Sequence, residues 1–153
     1  MPVDDKTEAL LQALIDVVWT SHKLRAVGGR TGAVNAAGGG TWGILHTLVC
    51  DGPKTVPQIA RMRPVARQHI QTMANELAVE GLVEFIDNPA HKRSKLVAIT
   101  RAGKTRYTAI KSQLLELAGE IAKDLSAEDI AVTGRVLARV MDDLDRRIDA
   151  GDP

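Results

Sequence analysis

A chain of 153 residues, 44% hydrophobic and 25% charged, has the length and apolar content to bury a real core, as one domain or one small two-part unit. No apolar run reaches the 18 or more residues of a membrane span, and the acidic start, Met1 to Lys6, leads into no signal core. The single cysteine, Cys50, excludes an intrachain disulfide and fits a reducing cytoplasm, where the protein is expected. The formal net charge is only +1, but it is unevenly placed. From Lys54 to Arg106 ten Lys/Arg stand against four Asp/Glu, while the rest of the chain carries ten basic and fifteen acidic residues. That local surplus suits attraction to phosphate.

Residues from about Asp4 to Arg25 read as a helix, with Leu10, Ala13, Leu14, Val17 and Val18 along one apolar stripe. Glycines then crowd the chain at Gly28, Gly29, Gly32 and Gly38 to Gly40, a density that breaks helices and is entropically costly to order. Val27 to Gly40 therefore reads as a linker. A phosphate-cradling loop is not expected there, because no G-x-x-x-x-G-K-[ST] occurs and no strand precedes it. Thr41 is placed to cap the next helix, whose inward face would be Trp42, Leu45, Leu48 and Val49, and Gly52-Pro53 ends it.

Thr55 with Gln58 makes a capping-box pattern, with Pro57 in the first turn of a short helix. After a tight link at Arg63-Pro64, a longer amphipathic helix spans Ala66 to Glu80 and is closed by Gly81. Two β-rich runs, Leu82–Ile86 and Ser94–Ile99, flank a polar turn. A helix from about Arg101 to Lys123 carries Ile110, Leu114, Leu117 and Ile121. The last helix opens on a Ser126–Asp129 capping pattern and runs to about Asp149, with Ile130, Val136, Leu137, Val140, Leu144 and Ile148 as its apolar positions. The expected sum is six helices and a two-strand hairpin.

Helix, turn, helix and hairpin is the plan of a winged helix-turn-helix. On a helix opening at Ala66, Ile70, Met73, Ala74 and Leu77 share one face, which can pack on Ile59, Ala60 and Val83. Arg67, Gln68, Gln71 and Thr72 are left on the outer side of the first turns, the end of a recognition helix that meets base edges. Arg pairs with guanine and Gln with adenine, each good pair discriminating by about 1–3 kcal/mol. At the hairpin tip His91, Lys92, Arg93 and Lys95 put three permanent cations and an imidazole within five residues, and an arginine there can enter a narrow minor groove. Lys54, Arg61, Arg63 and Arg101 are the expected phosphate contacts.

Other chemistries are poorly served. His22, His46, His69 and His91 form no H-x-x-x-H pair, so neither a metal site nor any cofactor is expected. No nucleophile–base set is present, which disfavours an enzyme. Cys50 reads as an inert, partly buried thiol beside Asp51. Trp19, His22, Trp42 and His46 are the residues expected to line any pocket for a small aromatic effector, set against the alternative that both tryptophans are core.

The segments Thr41-Trp-Gly-Ile-Leu-His-Thr-Leu, Val56-Pro-Gln-Ile-Ala, Glu76-Leu-Ala-Val-Glu-Gly-Leu-Val and Asp87-Asn-Pro-Ala-His-Lys-Arg-Ser-Lys-Leu-Val-Ala-Ile-Thr-Arg-Ala-Gly resemble the MarR family of bacterial transcriptional regulators over almost the whole chain. The resemblance implies a mainly α fold with a small β-hairpin wing. It assigns residues 1–27 and 107–153 to a helical dimerisation region, 41–106 to a winged helix-turn-helix lobe that binds double-stranded DNA, and 28–40 to a glycine-rich linker. It further implies a homodimeric repressor on a palindromic operator, released by a small, often phenolic ligand or by oxidation. The chain departs from the family at two positions. Ala66 stands where a Ser or Thr usually opens the recognition helix, and His91-Lys92-Arg93 stands where the wing usually reads Asp-x-Arg. The alternative is a winged-helix module whose basic face has turned to protein–protein contacts.

Overall fold

In the computed structural model, which describes residues 4–31, 40–63 and 65–151, helices dominate. The order is α1 (Asp5–Thr31), α2 (Gly40–Asp51), β1 (Lys54–Thr55), α3 (Val56–Met62), α4 (Arg67–Val79), β2 (Val83–Ile86), β3 (Leu96–Ile99), α5 (Arg101–Ala122) and α6 (Ala127–Ala150). The chain divides into two compact units, Met1–Leu114 and Leu115–Pro153, the division falling within α5. Among the described residues no helix is long and apolar enough to cross a membrane.

The core lies in the first unit. Ile44, Leu45 and Leu48 of α2, Val56, Ile59 and Ala60 of α3, and Ile70, Met73, Ala74 and Leu77 of α4 form one buried cluster with Val83, Val97 and Tyr107. The inward face of α4 is the one its spacing predicts. On α2 the pattern differs from expectation: Ile44 is buried, Trp42 is half-buried and Val49 is exposed. Thr41 does not cap that helix, because α2 begins one residue earlier and includes it. At the other end Gly52 takes a positive φ of 74°, the left-handed conformation glycine adopts without penalty.

Local chemistry fixes the ends of α3 and α4. The Thr55 side chain accepts from Gln58 N, and the Gln58 side chain accepts from Thr55 N, so the capping box is complete. Ala66 occupies the N-cap of α4 with no side-chain hydrogen bond. At the far end Gly81, at φ 72°, lets Leu82 N reach Leu77 O at 2.9 Å and Gly81 N reach Ala78 O at 3.0 Å, a Schellman closure that turns the chain into β2.

The sheet has three antiparallel strands in the order β1-β3-β2, one more than the expected hairpin. Val83 pairs with Ile99 and Ile86 with Leu96, while Lys54 and Thr55 pair with Val97 and Leu96 on the other edge of β3. A two-residue strand carries no period-2 pattern of its own; only its partner defines it. The glycine-rich stretch also departs from the linker expected over 28–40. Gly28 to Thr31 continue α1 and Gly40 opens α2, while residues 32–39 of that linker lie outside the described residues. A helical glycine costs about 1 kcal/mol relative to alanine, which disfavours a helix without forbidding it.

In the second unit α6 opens on Ser126, whose side chain accepts from Asp129 N at 3.0 Å, and closes on Gly151 at φ 70°. None of its residues is buried.

Candidate nucleic-acid interface

Arg67, Gln68 and Thr72 are exposed on the first turns of α4, and Gln71 is half-buried beside them. Two of these side chains are held by their own helix: Thr72 Oγ1 donates to Gln68 O at 3.0 Å, and Gln71 Nε2 donates to Asn75 Oδ1 at 2.9 Å. Both keep further polar capacity, the Thr72 oxygen as acceptor and the Gln71 amide as acceptor and donor. The uncapped start of α4, with no acidic residue in its first turn, leaves positive dipole potential and orphan N–H groups beside Arg67.

The wing tip is shaped by Asn88. Its Oδ1 accepts from Ala90 N at 3.0 Å and its carbonyl from His91 N at 3.2 Å, after which Ser94 N bonds His91 O at 3.1 Å. These turns leave His91, Lys92, Arg93 and Lys95 exposed. Among the described residues the ion pairs are Glu120–Lys123, Asp143–Arg146 and Asp143–Arg147; none neutralises a wing or α4 cation.

The two elements face one groove. A concavity of about 620 Å³ is lined by Arg67, Gln68, Gln71 and Asn75 from α4 and by Arg93, Ser94 and Lys95 from the wing, with Val56, Pro57 and Phe85 as its apolar part. Its walls hold three cations and no acid, so an anionic chain is the ligand its charge favours. Thr72, His91 and Lys92 do not line it. Asn75 and Ser94, which sequence reasoning missed, do; Asn75 lies one helical turn beyond Gln71, and that i, i+4 spacing was the available signal.

The four expected phosphate contacts separate. Arg61 and Arg101 are exposed. Lys54 Nζ donates to Asp51 O at 2.8 Å, serving the C-terminal end of α2. Arg63 is half-buried, with Nε donating to Thr47 Oγ1 at 3.2 Å and its guanidinium against Gly43 of α2, where a Cβ would collide with it. Burial pushes its pKa below the ordinary arginine value.

The expected effector residues fall into two pairs, Trp19 with His22 on α1 and Trp42 with His46 on α2. Trp19 is 62% exposed and His22 Nδ1 lies 2.7 Å from Arg25 Nη2. Trp42 stacks on buried Tyr107 with ring centroids 4.7 Å apart, and His46 Nδ1 lies 3.1 Å from the Tyr107 hydroxyl. Cys50 is exposed rather than partly buried. Its sulfur is 3.7 and 3.9 Å from the two ring nitrogens of His46, nearly equidistant and so committed to neither.

The chain matches no family model. It is 34% identical over 116 residues to the uncharacterized protein Rv2011c of Mycobacterium tuberculosis, covering 73% of this chain and 80% of that protein. It is 26% identical to the transcriptional activatory protein BadR of Rhodopseudomonas palustris, covering 97% of this chain and 86% of BadR. Among solved structures it is similar to the MarR family transcription regulator SP03579, at 25% identity and a TM-score of 0.73 over 92% of this chain and 95% of the other. A mutant MarR from E. coli complexed with operator DNA shares the fold at 24% identity and a TM-score of 0.67, over 90% of this chain and 99% of that one.

Proposed function

We propose, on the premise that this chain belongs to the MarR family of winged-helix transcription regulators, that it is a homodimeric repressor acting on a palindromic DNA operator. The observation that carries the reading is the acid-free groove shared by Arg67, Gln68 and Gln71 of α4 and by Arg93 and Lys95 of the wing. In this reading α4 enters the major groove, where Arg67, Gln68, Gln71 and Thr72 meet base edges, and the wing reaches the adjacent minor groove through Arg93. The phosphodiester strand between the two grooves passes Arg67 and Lys95, while Arg61, Arg101 and Lys92 add phosphate contacts that set affinity and register. His91 joins the wing surface.

Two-fold pairing puts equivalent recognition helices about 34 Å apart, one turn of DNA. Selection of bound duplexes from a random library by the purified protein is the test. The expected product is a palindrome with half-sites about ten base pairs apart, centre to centre. Enrichment of no sequence would sink the reading and favour a protein-binding module instead.

Activation is a second reading, favoured because BadR is named an activatory protein. An operator overlapping the promoter supports repression, whereas one upstream of it supports activation. Small aromatic acids are the effector class best matched to the Trp42–Tyr107–His46 stack, with Trp19 and His22 as further candidates. Tryptophan fluorescence unchanged by such acids up to millimolar concentration would remove the effector.

A further inference from the structure

Asn75 lines the same groove as Gln71, one turn further along α4, and its Oδ1 accepts from Gln71 Nε2 at 2.9 Å. We propose that Asn75 is a positioning residue: it holds the Gln71 carboxamide in the orientation that reads adenine, and thereby sets base preference without reading a base itself. The inference rests on the DNA-binding reading above.

The chemistry is a matter of which end of an amide faces the base. Glutamine offers an acceptor oxygen and two N–H donors, and rotation about its last torsion exchanges the two ends. Adenine is read when the oxygen accepts from N6 and an N–H donates to N7. Rotated by half a turn, the same amide sets donor against donor and acceptor against acceptor. With its Oδ1 turned toward Gln71, Asn75 accepts, and this arrangement of the pair keeps the Nε2 end of Gln71 on the side of residue 75. Turning both amides together would reverse it, which a carboxylate at position 75 would not allow. Gln71 still has its oxygen and its second N–H, the two groups adenine needs. The half-burial of Gln71 further restricts its rotation. Asn75 is itself exposed, so replacing it leaves the core untouched.

The test compares wild type, Asn75→Ala, Asn75→Asp, Gln71→Ala and the Asn75→Ala/Gln71→Ala double variant, first by duplex selection and then by titration of the four bases at each selected position. Gln71→Ala identifies the position Gln71 reads, where preference for adenine collapses. Asn75→Ala is expected to lower adenine preference at that same position by about three- to tenfold, a part of what one bidentate contact supplies. In the Gln71→Ala background it should have no further effect there. Asn75→Asp keeps the acceptor and should restore the preference, while binding all duplexes more weakly because its carboxylate repels phosphates.

A uniform loss across all four bases, or a loss of preference at a different position, would overturn the role of Asn75. So would a wild-type consensus that survives Asn75→Ala unchanged. A wild-type protein that selects no sequence overturns DNA recognition itself, and this inference with it.

Discussion

Arg63 and Arg93 are both arginines of the winged-helix lobe, but their surroundings differ. The Arg63 guanidinium is packed on α2, bonded to Thr47 Oγ1 at 3.2 Å, and desolvated; Arg93 projects from the wing without an ion-pair partner among the described residues. Burial lowers the Arg63 pKa, yet an arginine stays charged far above neutral pH, so no pH dependence of stability is expected from it between pH 5 and 9. Arg63→Ala should therefore cost about 1 kcal/mol of stability through the lost hydrogen bond and packing, and leave the salt dependence of DNA binding unchanged. Arg93→Ala should do the reverse: an unchanged melting temperature, weaker binding, and a log K against log salt slope shallower by about 0.9. A denaturant curve and a salt titration of each variant separate the two roles. Ala66 offers a further residue-scale check, because α4 starts without a side-chain cap. Ala66→Ser should stabilise the protein by about 1 kcal/mol and raise its melting temperature by about 2–4 °C. An unchanged melting temperature would mean that the orphan N–H groups are already satisfied by solvent.

At the scale of elements, the junction between wing and α5 is the most tightly determined. Thr100 Oγ1 donates to Gly81 O at 2.6 Å and accepts from Gly103 N at 3.0 Å, so one hydroxyl caps α5 and ties it to the end of α4. Gly103 is buried there, and a Cβ on it would strike the Leu82 carbonyl and the Ile99 side chain. Backbone cannot give way cheaply, so Gly103→Ala should cost about 1–3 kcal/mol and lower the melting temperature by several degrees. Gly119→Ala is the control: on the same helix, with nothing within 4 Å, it should be neutral or stabilise by up to about 1 kcal/mol. Equal effects of the two changes would overturn the steric account.

The Thr-x-x-Gly pattern was visible in the sequence; that the threonine caps and the glycine is crowded required the structure. The same division runs through the lobe. The buried face of α4 and the Thr55–Gln58 capping box were legible because helical spacing and caps are local. β1 was not, since Val97 and Leu96 define it from across the sheet. Nor was the inward turn of Arg63, which depends on the room Gly43 leaves on another helix. The Gln71–Asn75 pair lies between these cases: its i, i+4 spacing is local, but only the structure shows that the two amides bond each other.

For the molecule as a whole, the decisive fact is what α6 leaves uncovered. Ile130, Val136, Met141, Leu144 and Ile148 are exposed along this 24-residue helix, and no residue of it is buried. On α1, Leu10, Leu11, Ile15, Val18 and Trp19 are likewise exposed. Helices in proteins owe most of their stability to packing of an apolar face, and each of these two helices carries exposed apolar residues available to a partner. Under the proposed function the occupant of these faces is a second copy of the chain, because a palindrome is met by a two-fold protein. The purified protein should sediment as a dimer at micromolar concentration, with a melting temperature that rises with protein concentration. Leu144→Glu places a charge in the proposed interface and should yield monomer. Each protomer would then hold one half-site alone, so affinity for the full operator should fall by about 10²–10⁴ while the half-site affinity is retained. Wild-type protein that sediments as a monomer at tens of micromolar would overturn the dimer. A monomeric Leu144→Glu variant with undiminished operator affinity would instead show that the two lobes read DNA independently.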